Sequence, residues 1–308
     1  MEAVSNTTVI VCAYSEVRWP LLLRALESIA AQRRPPAATI VVIDTNPVLL
    51  ERARKELTGI TVIANEHRQG LSGARNSGVQ QAATELVAFL DDDARAAPDW
   101  LATLEPLFDA PEVVAAGGSV QPEWESGRPR WFPDPFLWVV GCTHNGMPSV
   151  REPVRNVVGA SMIFRRAALD SLGGFTEEVG RVGTLPEGCE ETEMCIRARQ
   201  RIAGASVIFE PAAVVDHLVP AARATPGYFF RRCLAEGRSK AAVSRLVGTQ
   251  DGLSAERRYT RETLPAAVAG GLRDAVRGDI WGLARAVMVL AGLVVTAFGY
   301  AGGRLTQR

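Results

Sequence analysis

Hydrophobic and polar positions follow two alternating patterns over the first 90 residues of the chain. Short apolar runs rich in β-branched residues predict strands at residues 7–13, 39–43, 60–64 and 85–90. Apolar residues at helical spacing predict helices between them, at residues 19–32, 48–57 and 74–83. Such a β-α-β order predicts a mostly parallel sheet with helices on both faces.

The pattern changes after residue 94. We predict helices at residues 100–108, 165–172 and 188–202, strands at 113–120, 157–164, 205–209 and 213–216, and a polar loop at 181–187. Residues 122–147 show no periodicity and contain Trp124, Trp131, Phe132, Phe136 and Trp138. Segments of this kind line sugar or lipid sites, or they pack against a sheet, and the sequence leaves both readings open.

The C-terminal part of the chain is basic and then apolar. Residues 221–278 contain eleven Arg and Lys against five Asp and Glu, a local net charge of +6, and include a basic helix at 228–247. Residues 280–303 are interrupted only by Arg285, and their uncharged core of sixteen residues, 286–301, is shorter than the roughly 20 residues of a membrane span. The segment could span with its flanking residues at the interface, lie in the interface, form half of a helical hairpin, or be a buried helix of a soluble protein. We predict a catalytic domain at residues 1–220 and a basic helical region at 221–308 with a membrane-associated segment at 280–303.

Composition narrows the class of protein. The chain has 308 residues, of which 47% are hydrophobic and 22% charged, as in globular proteins. Its formal net charge is zero, which argues against a general nucleic-acid binder. The five cysteines form no CxxC pair, so we expect reduced thiols and no zinc site. The polar N-terminus leads directly into a strand, and we expect no signal peptide.

Three consecutive carboxylates, Asp91, Asp92 and Asp93, end the apolar strand at residues 85–90. In open α/β sheets, ligands bind at the carboxyl ends of the strands. Adjacent carboxylates repel each other unless a cation lies between them, and a divalent ion bound to phosphate oxygens is a common cation there. The alternative is a solvated acidic turn that caps a helix beginning near Pro98.

Three other parts of the sequence give weaker signals of a functional site. The glycine-rich residues 70–78 lead into a helix whose start favours anions, or they form a plain loop. Glu190 and Glu191 open a helix, where acids also complement the helix dipole, and Glu193 could pair with Arg197 on the solvent face. His217 ends the last predicted strand, and a lone histidine there is more often structural.

Taken together and in order, these motifs resemble family 2 inverting glycosyltransferases with the GT-A fold, over residues 7–217. The matching residues are the segment Cys12-Ala13-Tyr14-Ser15-Glu16, Asp44, Ala74-Arg75-Asn76-Ser77-Gly78, Asp91 with Asp93, Glu190-Glu191 and His217. Two positions depart from the family pattern, because Cys12 replaces a proline and Glu191 replaces an aspartate. Residues 138–146, 154–166 and 188–199 further resemble enzymes that extend polyprenol- or dolichol-linked saccharides, such as glucosyl-dolichyl phosphate glucuronosyltransferases.

The resemblance implies a role for each matching residue. It implies a GT-A α/β fold, a mixed and mostly parallel sheet flanked by helices, followed by the C-terminal membrane-associated region. The catalytic base is Glu191, or Glu190 beside it. A Mg²⁺ or Mn²⁺ cofactor binds at Asp93, Asp91 and His217. The nucleotide sugar binds at Ala13, Tyr14, Glu16, Asp44, Gly70, Arg75, Asp91 and Asp92. We place the acceptor region at Trp138, Gly159, Ala160 and Ser161.

The expected function is metal-assisted, inverting transfer of a sugar from a nucleotide-diphosphate donor, a UDP-sugar, to a hydroxyl of a lipid-linked saccharide. The expected location is the cell membrane, with the catalytic domain on the cytoplasmic side. The alternatives are a glycosyltransferase of capsule, lipopolysaccharide or cell-wall assembly and a non-catalytic membrane-anchored protein. A nucleotidyltransferase is disfavoured, since residues 12–19 contain neither glycine nor lysine.

Overall fold

One mixed β-sheet runs through the residues that this computed structural model describes, 5–183 and 188–305. Its nine described strands are β1 Thr7–Ala13, β2 Ala38–Ile43, β3 Thr61–Ala64, β4 Leu86–Leu90, β5 Ala94–Ala96, β6 Val113–Trp124, β7 Glu152–Pro153, β8 Ser161–Arg165 and β9 Ser206–Val219. The strand order is β3-β2-β1-β4-β8-β6-β9-β5, with β7 also beside β9. The first four strands in this order are parallel, and β8 runs antiparallel to both β4 and β6.

Helices flank the sheet. Those of the first 217 residues are α1 Trp19–Ala30, α2 Pro47–Glu56, α3 Leu71–Gln81, α4 Trp100–Leu104, α5 Arg166–Leu172 and α6 Glu190–Arg201, with 3₁₀ turns at Glu16–Arg18, Glu105–Asp109 and Asp134–Val140. Later in the chain follow a 3₁₀ turn at Ala221–Arg223, then α7 Pro226–Val247, α8 Thr249–Gly252, α9 Ser254–Arg258, a π-helical turn at Tyr259–Thr263, α10 Leu264–Val276 and α11 Trp281–Leu305. The predicted GT-A fold, with a mixed sheet flanked by helices, is confirmed. The expectation of a mostly parallel sheet holds only for β3-β2-β1-β4, because β8, β5 and β7 pair antiparallel with their neighbours.

Side-chain alternation along β1 explains why its whole sequence is apolar. Val9 and Val11 pack with Leu22 and Ile29 of α1 in one hydrophobic cluster. Ile10 points to the other face and packs in a second cluster, which includes residues of α3, α5 and α6. A strand that is buried on both faces is therefore a continuous apolar run, which is typical of parallel sheets.

The chain divides into two compact units. The described residues of the first unit lie within Met1–Gln121, Ser149–Leu185 and Glu190–His217, and those of the second lie within Pro122–Pro148, Pro186–Cys189 and Leu218–Arg308. Residues 122–148, which our predicted boundary near residue 220 assigns to the catalytic domain, thus cluster with the second unit. The boundary itself stays a prediction.

The second unit contains an aromatic cluster and two long helices. Phe229 of α7 contacts Trp131, Phe132 and Phe136 at ring-centroid distances of 5.2–5.9 Å. The aromatic residues of the non-periodic segment therefore pack against α7. Helix α11 is long and apolar enough to cross a membrane, although 28% of its most apolar window is buried.

Several predicted elements differ from the observed ones. The strand predicted at residues 157–164 begins only at Ser161, because the chain turns just before it, where the amide of Ser161 donates to the carbonyl of Val158. The two predicted closing strands form one strand, β9. Glu210 can lie within this strand because its carboxylate pairs with Arg151 and accepts from the amide of Ala212. The helix at residues 188–202 begins at Glu190, and residues 184–187 of the predicted loop lie outside the described residues.

Candidate active site

The three carboxylates after β4 form a tight turn, which joins β4 to β5. The amide of Ala94 donates to the carbonyl of Asp91 at 3.0 Å, so the chain reverses directly into the short strand β5. Strand β5 pairs antiparallel with β9, and Ala94 lies opposite His217. Residues directly opposite in such a pair have Cα atoms about 4.5–5.5 Å apart. The pairing therefore brings His217 beside the carboxylate turn from more than 120 residues later in the sequence.

A cluster of possible metal ligands results. Ligand atoms of Asp91, Asp93 and His217 all lie within 4.8 Å of one another. Two oxygen ligands of one divalent ion, each about 2.0–2.6 Å from it, are separated by no more than about 4–5 Å. His217 Nε2 lies 3.2 Å from Asp93 Oδ1, so the imidazole already faces the carboxylate. The spacing and the chemistry of these three residues fit a divalent cation.

A cation of the chain itself also contacts this turn. Arg18 Nη2 lies 2.7 Å from Asp92 Oδ1, and the same group pairs with Asp93. Burial lowers the pKa of Arg18, but the charges of Asp92 and Asp93 outweigh this effect and the pKa lies above its usual value. Arg18 was not among the predicted site residues, because nothing in the sequence around it indicates that it faces the carboxylate turn.

The position of Asp92 corrects one reading of the turn. A solvated turn that caps the next helix would expose its acids. Asp92 is instead buried and ion-paired with Arg18, Asp93 is buried as well, and a strand follows the turn in place of a helix. Asp91 is the most exposed of the three carboxylates.

A buried arginine connects the turn to the start of α6. Arg75 Nη1 lies 2.7 Å from Glu190 Oε1, while Nη2 lies 3.6 Å from Asp91 Oδ1 and donates to the carbonyl of Gly159 at 3.2 Å. Burial lowers the pKa of Arg75, but Glu190 and Asp91 raise it above its usual value. This guanidinium therefore holds two carboxylates that are about a hundred residues apart in sequence.

The two acids at the start of α6 lie in different environments. Glu190 is buried and paired with Arg75. Glu191 is only half-buried, and its Oε1 accepts from Thr192 Oγ1 at 3.2 Å. Its Oε2 lies 3.7 Å from the point where a side chain on Gly159 would begin. A carboxylate that reaches solvent beside a residue without a side chain can contact an incoming molecule.

The predicted pair of Glu193 and Arg197 forms, but not on the solvent face. Arg197 Nε donates to Glu193 Oε1 at 2.7 Å, and both side chains are largely buried. Arg197 also donates to the carbonyls of Leu172 and Gly174. The pair therefore ties α6 to the end of α5, which explains its burial.

At the end of β2, Asp44 is held rigidly. Its Oδ1 accepts from Asn65 Nδ2 at 2.8 Å, and its Oδ2 accepts from the amide of Gly70 at 3.0 Å. Each carboxylate oxygen keeps a further lone pair. Gly70 adopts φ 126°, which only glycine tolerates readily, and it precedes α3. The glycine-rich segment thus orients Asp44 and begins α3 three residues earlier than predicted.

Tyr14 and its neighbours follow β1 at the same edge of the sheet. The carbonyl of Ala13 accepts from the amide of Asp44 at 2.8 Å, and that of Tyr14 accepts from Asn46 Nδ2 at 3.1 Å. The Arg18 guanidinium lies 5.8 Å from the centre of the Tyr14 ring. Glu16 is exposed in the 3₁₀ turn that follows.

Backbone strain occurs beside both Asp44 and Glu190. Among the described residues, the non-glycine residues with positive φ are Thr45, at 49°, and Cys189, at 76°. Such conformations cost about 1–3 kcal/mol each and cluster at functional sites. Thr45 follows Asp44, and Cys189 precedes Glu190 in the sequence.

The predicted acceptor residues have different positions. Gly159 lies beside Arg75 and Glu191, as described above, and Ala160 is buried next to it. Ser161 is fully buried, and its hydroxyl accepts from Trp100 Nε1 at 2.9 Å. Trp138 belongs to the second unit, where its indole nitrogen donates to the Tyr259 hydroxyl at 3.2 Å. The side chain of Ser161 therefore forms a hydrogen bond inside the core.

Comparison with known proteins identifies the family. The model of the family described as glycosyl transferase family 2 matches residues 8–173. The chain belongs to this family. It is 31% identical to the glucosyl-dolichyl phosphate glucuronosyltransferase of Haloferax volcanii, over 98% of this chain and 97% of that protein. It is also 28% identical to the succinoglycan biosynthesis protein ExoM of Rhizobium meliloti, over 74% of this chain and 72% of that protein.

Solved structures show the same fold. A mannosyltransferase from Pyrobaculum calidifontis, solved in complex with GDP-Man and Mn²⁺, matches 96% of this chain with a TM-score of 0.60 and 19% identity. GalNAc-T7, solved with UDP, GalNAc and Mn²⁺, matches 85% of this chain with a TM-score of 0.54 and 15% identity. The fold is therefore that of the GT-A glycosyltransferases, and the protein is a glycosyltransferase.

Proposed function

We propose that this family 2 glycosyltransferase moves a sugar from a UDP-sugar to a hydroxyl of a lipid-linked saccharide, with inversion at the anomeric carbon. The observation that carries the proposal is the arrangement of Asp91, Asp93 and His217 on one side of Arg75 and of Glu190 and Glu191 on the other. A sugar transferase needs charge compensation for its leaving diphosphate and a base for its acceptor. The first cluster would hold a cation that compensates the charge of the diphosphate, and the second contains the base.

The donor would bind along the carboxyl ends of β1, β2 and β4. Tyr14 stacks on the base, and Asp44 accepts from the uracil N–H with a carboxylate already oriented by Asn65 and Gly70. Orienting an acceptor before the ligand arrives reduces the entropy lost on binding. Ala13 and Glu16 are further proposed contacts of the donor, and Arg18 adds positive charge beside Asp92 and Asp93.

Asp91, Asp93 and His217 would hold Mg²⁺ or Mn²⁺. A divalent cation bound there supplies Lewis-acid stabilisation of the negative charge on the leaving diphosphate. The mannosyltransferase and GalNAc-T7 structures both contain Mn²⁺, which supports this assignment. The chain contributes carboxylates whose positions are fixed by Arg18, Arg75 and the β5–β9 pairing.

Glu191 is the base in this proposal. The acceptor hydroxyl attacks the anomeric carbon and transfers its proton to a Glu191 carboxylate oxygen, while the bond from that carbon to the diphosphate breaks and UDP leaves. Glu190 is less suited, because it is buried and Arg75 Nη1 lies 2.7 Å from its Oε1. A single displacement with one base inverts the anomeric centre. The paired-carboxylate double displacement of retaining hydrolases requires a second, nucleophilic acid, to which we assign no residue.

The proposed class of acceptor is supported by the similarity to a relative and by the presence of Glu191 as a base. The Haloferax relative, whose name specifies glucosyl-dolichyl phosphate, covers nearly the whole of both chains. A bare polyprenyl phosphate is already ionised and requires no base, so Glu191 favours a hydroxyl of a saccharide already on its lipid. Gly159 and Ala160 of the first unit remain proposed acceptor residues, and Trp138 of the second unit remains a separate prediction. A lipid-linked acceptor places the enzyme at the cell membrane, with its catalytic domain on the cytoplasmic side, where nucleotide sugars are made.

The test is mass spectrometry of products. The purified full chain is incubated with a panel of UDP- and GDP-sugars, a membrane lipid extract, and Mn²⁺ or Mg²⁺. We expect one UDP-sugar to add a single glycosyl mass to a lipid-linked saccharide. Addition of sugar only to a water-soluble glycan, or only from a GDP-sugar, would refute the proposed substrates. The assignment to the family would not be affected.

A further inference from the structure

One face of α11 carries a continuous row of exposed apolar side chains. Leu283, Val287, Leu290, Val294 and Phe298 are each between 52% and 69% exposed. Their spacing of three or four residues places them on one side of a helix. We call this row the apolar stripe. A contiguous exposed apolar patch marks a surface that contacts a partner or a membrane.

The opposite face of α11 is closely packed on α7. A side chain on Gly299 would begin 2.2 Å from the carbonyl oxygen of Leu234, and one on Gly303 would begin 2.9 Å from Ala241. A side chain on Gly292 would likewise meet the ring of Phe136. The glycines allow the two helix backbones to approach closely. Only the apolar stripe is therefore available to a partner along most of α11.

The charges of α7 decide how α11 can meet a membrane. Within α7, Glu236 pairs with Arg232 at 2.8 Å and with Lys240 at 3.1 Å, beside the residues that contact Gly299 and Gly303 of α11. Arg231 and Arg238 of the same helix are exposed. If α11 crossed a bilayer, these charges would enter the hydrocarbon with it, at high cost. A helix with one apolar face and charged neighbours instead lies in the plane of the interface.

Charge at both ends of the stripe favours an anionic surface. Arg273 and Arg277 near one end and Arg304 at the other are exposed. Between residues 264 and 305 the sequence contains only two acids, Asp274 and Asp279, and both pair with Arg285 at 2.9 Å. Asp279 also pairs with Arg130 at 3.3 Å, so Arg285 and Arg130 together neutralise these two acids within the unit. Two copies that met through the stripe would bring like charges together in either direction, whereas anionic lipid head groups complement them.

We propose that the apolar stripe docks α11 in the plane of an anionic membrane leaflet, without crossing it. The stripe contacts the upper acyl chains, and the flanking arginines contact the head groups. The inference deepens the proposed function, since a lipid-linked acceptor is reached from the leaflet surface. It also selects the in-plane arrangement among those that the sequence left open.

Vesicle binding tests the docking surface. The full chain is co-sedimented with phosphatidylcholine vesicles that contain, or lack, phosphatidylglycerol. We expect binding that requires the anionic lipid and that Val294→Glu weakens at least about tenfold, because a carboxylate must then enter the apolar layer. The matched control is Val150→Glu in the first unit, because Val150 is 62% exposed and Val294 is 52% exposed. Equal loss in both variants, or none in either, would overturn the proposal.

Depth measurements separate an in-plane helix from a spanning one. Cysteine is introduced at Leu283, Leu290 or Phe298 and labelled with an environment-sensitive fluorophore that lipid-borne bromine quenches. Labelling favours the introduced cysteine, because Cys142, Cys189, Cys195 and Cys233 are buried and burial raises the pKa of the half-buried Cys12 to about 12. We expect the same shallow depth at all three positions. A deepest point at Leu290 with shallow ends would show a span, and stripe burial in a lipid-free dimer would show a second copy; either contradicts the proposal.

The two proposals can fail independently. Val294→Glu lies far in sequence from the residues assigned to the donor, so binding of UDP in detergent solution should be unchanged. If vesicle binding behaves as expected while no UDP-sugar is transferred, the docking surface stands and the proposed substrates do not. If transfer occurs in detergent but the stripe does not bind vesicles, the reverse holds.

Discussion

At the scale of residues, the two adjacent acids Glu190 and Glu191 differ in what surrounds them. Arg75 is nearly fully buried, and Glu190 is its closest anion. Removing one partner of a buried ion pair leaves an uncompensated charge and costs about 3–5 kcal/mol. Glu191 is only half-buried, and glutamine keeps the size and shape of its side chain, so its replacement should change chemistry more than stability.

We therefore expect substitutions of the two glutamates to differ in their effect on stability. Glu190→Ala should lower the free energy of unfolding by about 3 kcal/mol, read as a lower urea midpoint. Glu191→Gln should leave the midpoint nearly unchanged and should bind UDP as the wild type does. Equal destabilisation by both substitutions would show that the distinction between the two glutamates is wrong.

The proposed metal ligands can be tested at the same scale without an activity assay. Asp93→Asn should weaken Mn²⁺ binding at least about tenfold, because removal of even an outer partner of a metal site costs 10–100-fold. The measurement is the electron paramagnetic resonance signal of free Mn²⁺ during titration. Asp216→Asn is the control, since Asp216 precedes His217 but pairs with Arg95 at the surface. Unchanged affinity in Asp93→Asn would exclude this site for the metal.

At the scale of elements, strand prediction succeeded where burial alone determines the pattern. β1 runs from Thr7 to Ala13 as predicted, because both its faces are covered and every residue is apolar or β-branched. β5 has three residues and one exposed arginine, so it has no local signal. It exists because β9 pairs with it, and that tertiary contact is what brings His217 to Asp93.

In the candidate site as well, some residues could be predicted from the sequence, whereas others depend on tertiary contacts. Asp91, Asp93, Glu191 and His217 could be named from their motifs, although the contacts among them could not. Arg18 could not be named, because its role depends on the direction in which the turn after β1 leaves the sheet. The proposed role of Arg75 changed from a charge near the donor to a buried connection between Asp91 and Glu190.

The contact between α7 and α11 gives a prediction at this scale. Gly299→Ala should destabilise the second unit by about 1–3 kcal/mol, since its new carbon would begin 2.2 Å from a backbone oxygen and the helices must separate. Gly302→Ala in the same helix has nothing within 4 Å of its new carbon, and it should be neutral or stabilising by up to about 1 kcal/mol. Thermal unfolding followed by circular dichroism compares them. A lower Tm for Gly302→Ala than for Gly299→Ala would contradict the packing described for α11.

At the scale of the whole molecule, the first unit contains the proposed metal ligands and base, and the second contains the docking surface. Stability towards acid should depend on the second unit. Burial and the charge of Lys240 lower the pKa of His144 to about 4, and its Nδ1 accepts from the amide of Gly146. Burial raises the pKa of Glu236, but Lys240 and Arg232 outweigh it and bring the value to about 2.

Both folded-state pKa values lie below the unfolded ones, so the unfolded chain binds more protons as the pH falls. His144 should reduce stability between about pH 6.5 and pH 4, and Glu236 should reduce it further below about pH 4.5. The Tm should therefore fall over this range, and His144→Asn should flatten the fall above about pH 4.5. An NMR titration midpoint of His144 near the ordinary value of about 6.5 would contradict the prediction.

The central claim is that Glu191 deprotonates a saccharide hydroxyl during metal-assisted sugar transfer. The most direct measurement is the single-turnover rate of transfer from the UDP-sugar, with Mn²⁺, by wild type and Glu191→Gln. Each enzyme is given either a lipid-linked saccharide or the bare polyprenyl phosphate. We expect transfer to the saccharide by the wild type and a loss of about 10²–10⁴-fold in Glu191→Gln. Transfer to the bare phosphate, or a rate in Glu191→Gln equal to that of the wild type, would contradict the claim.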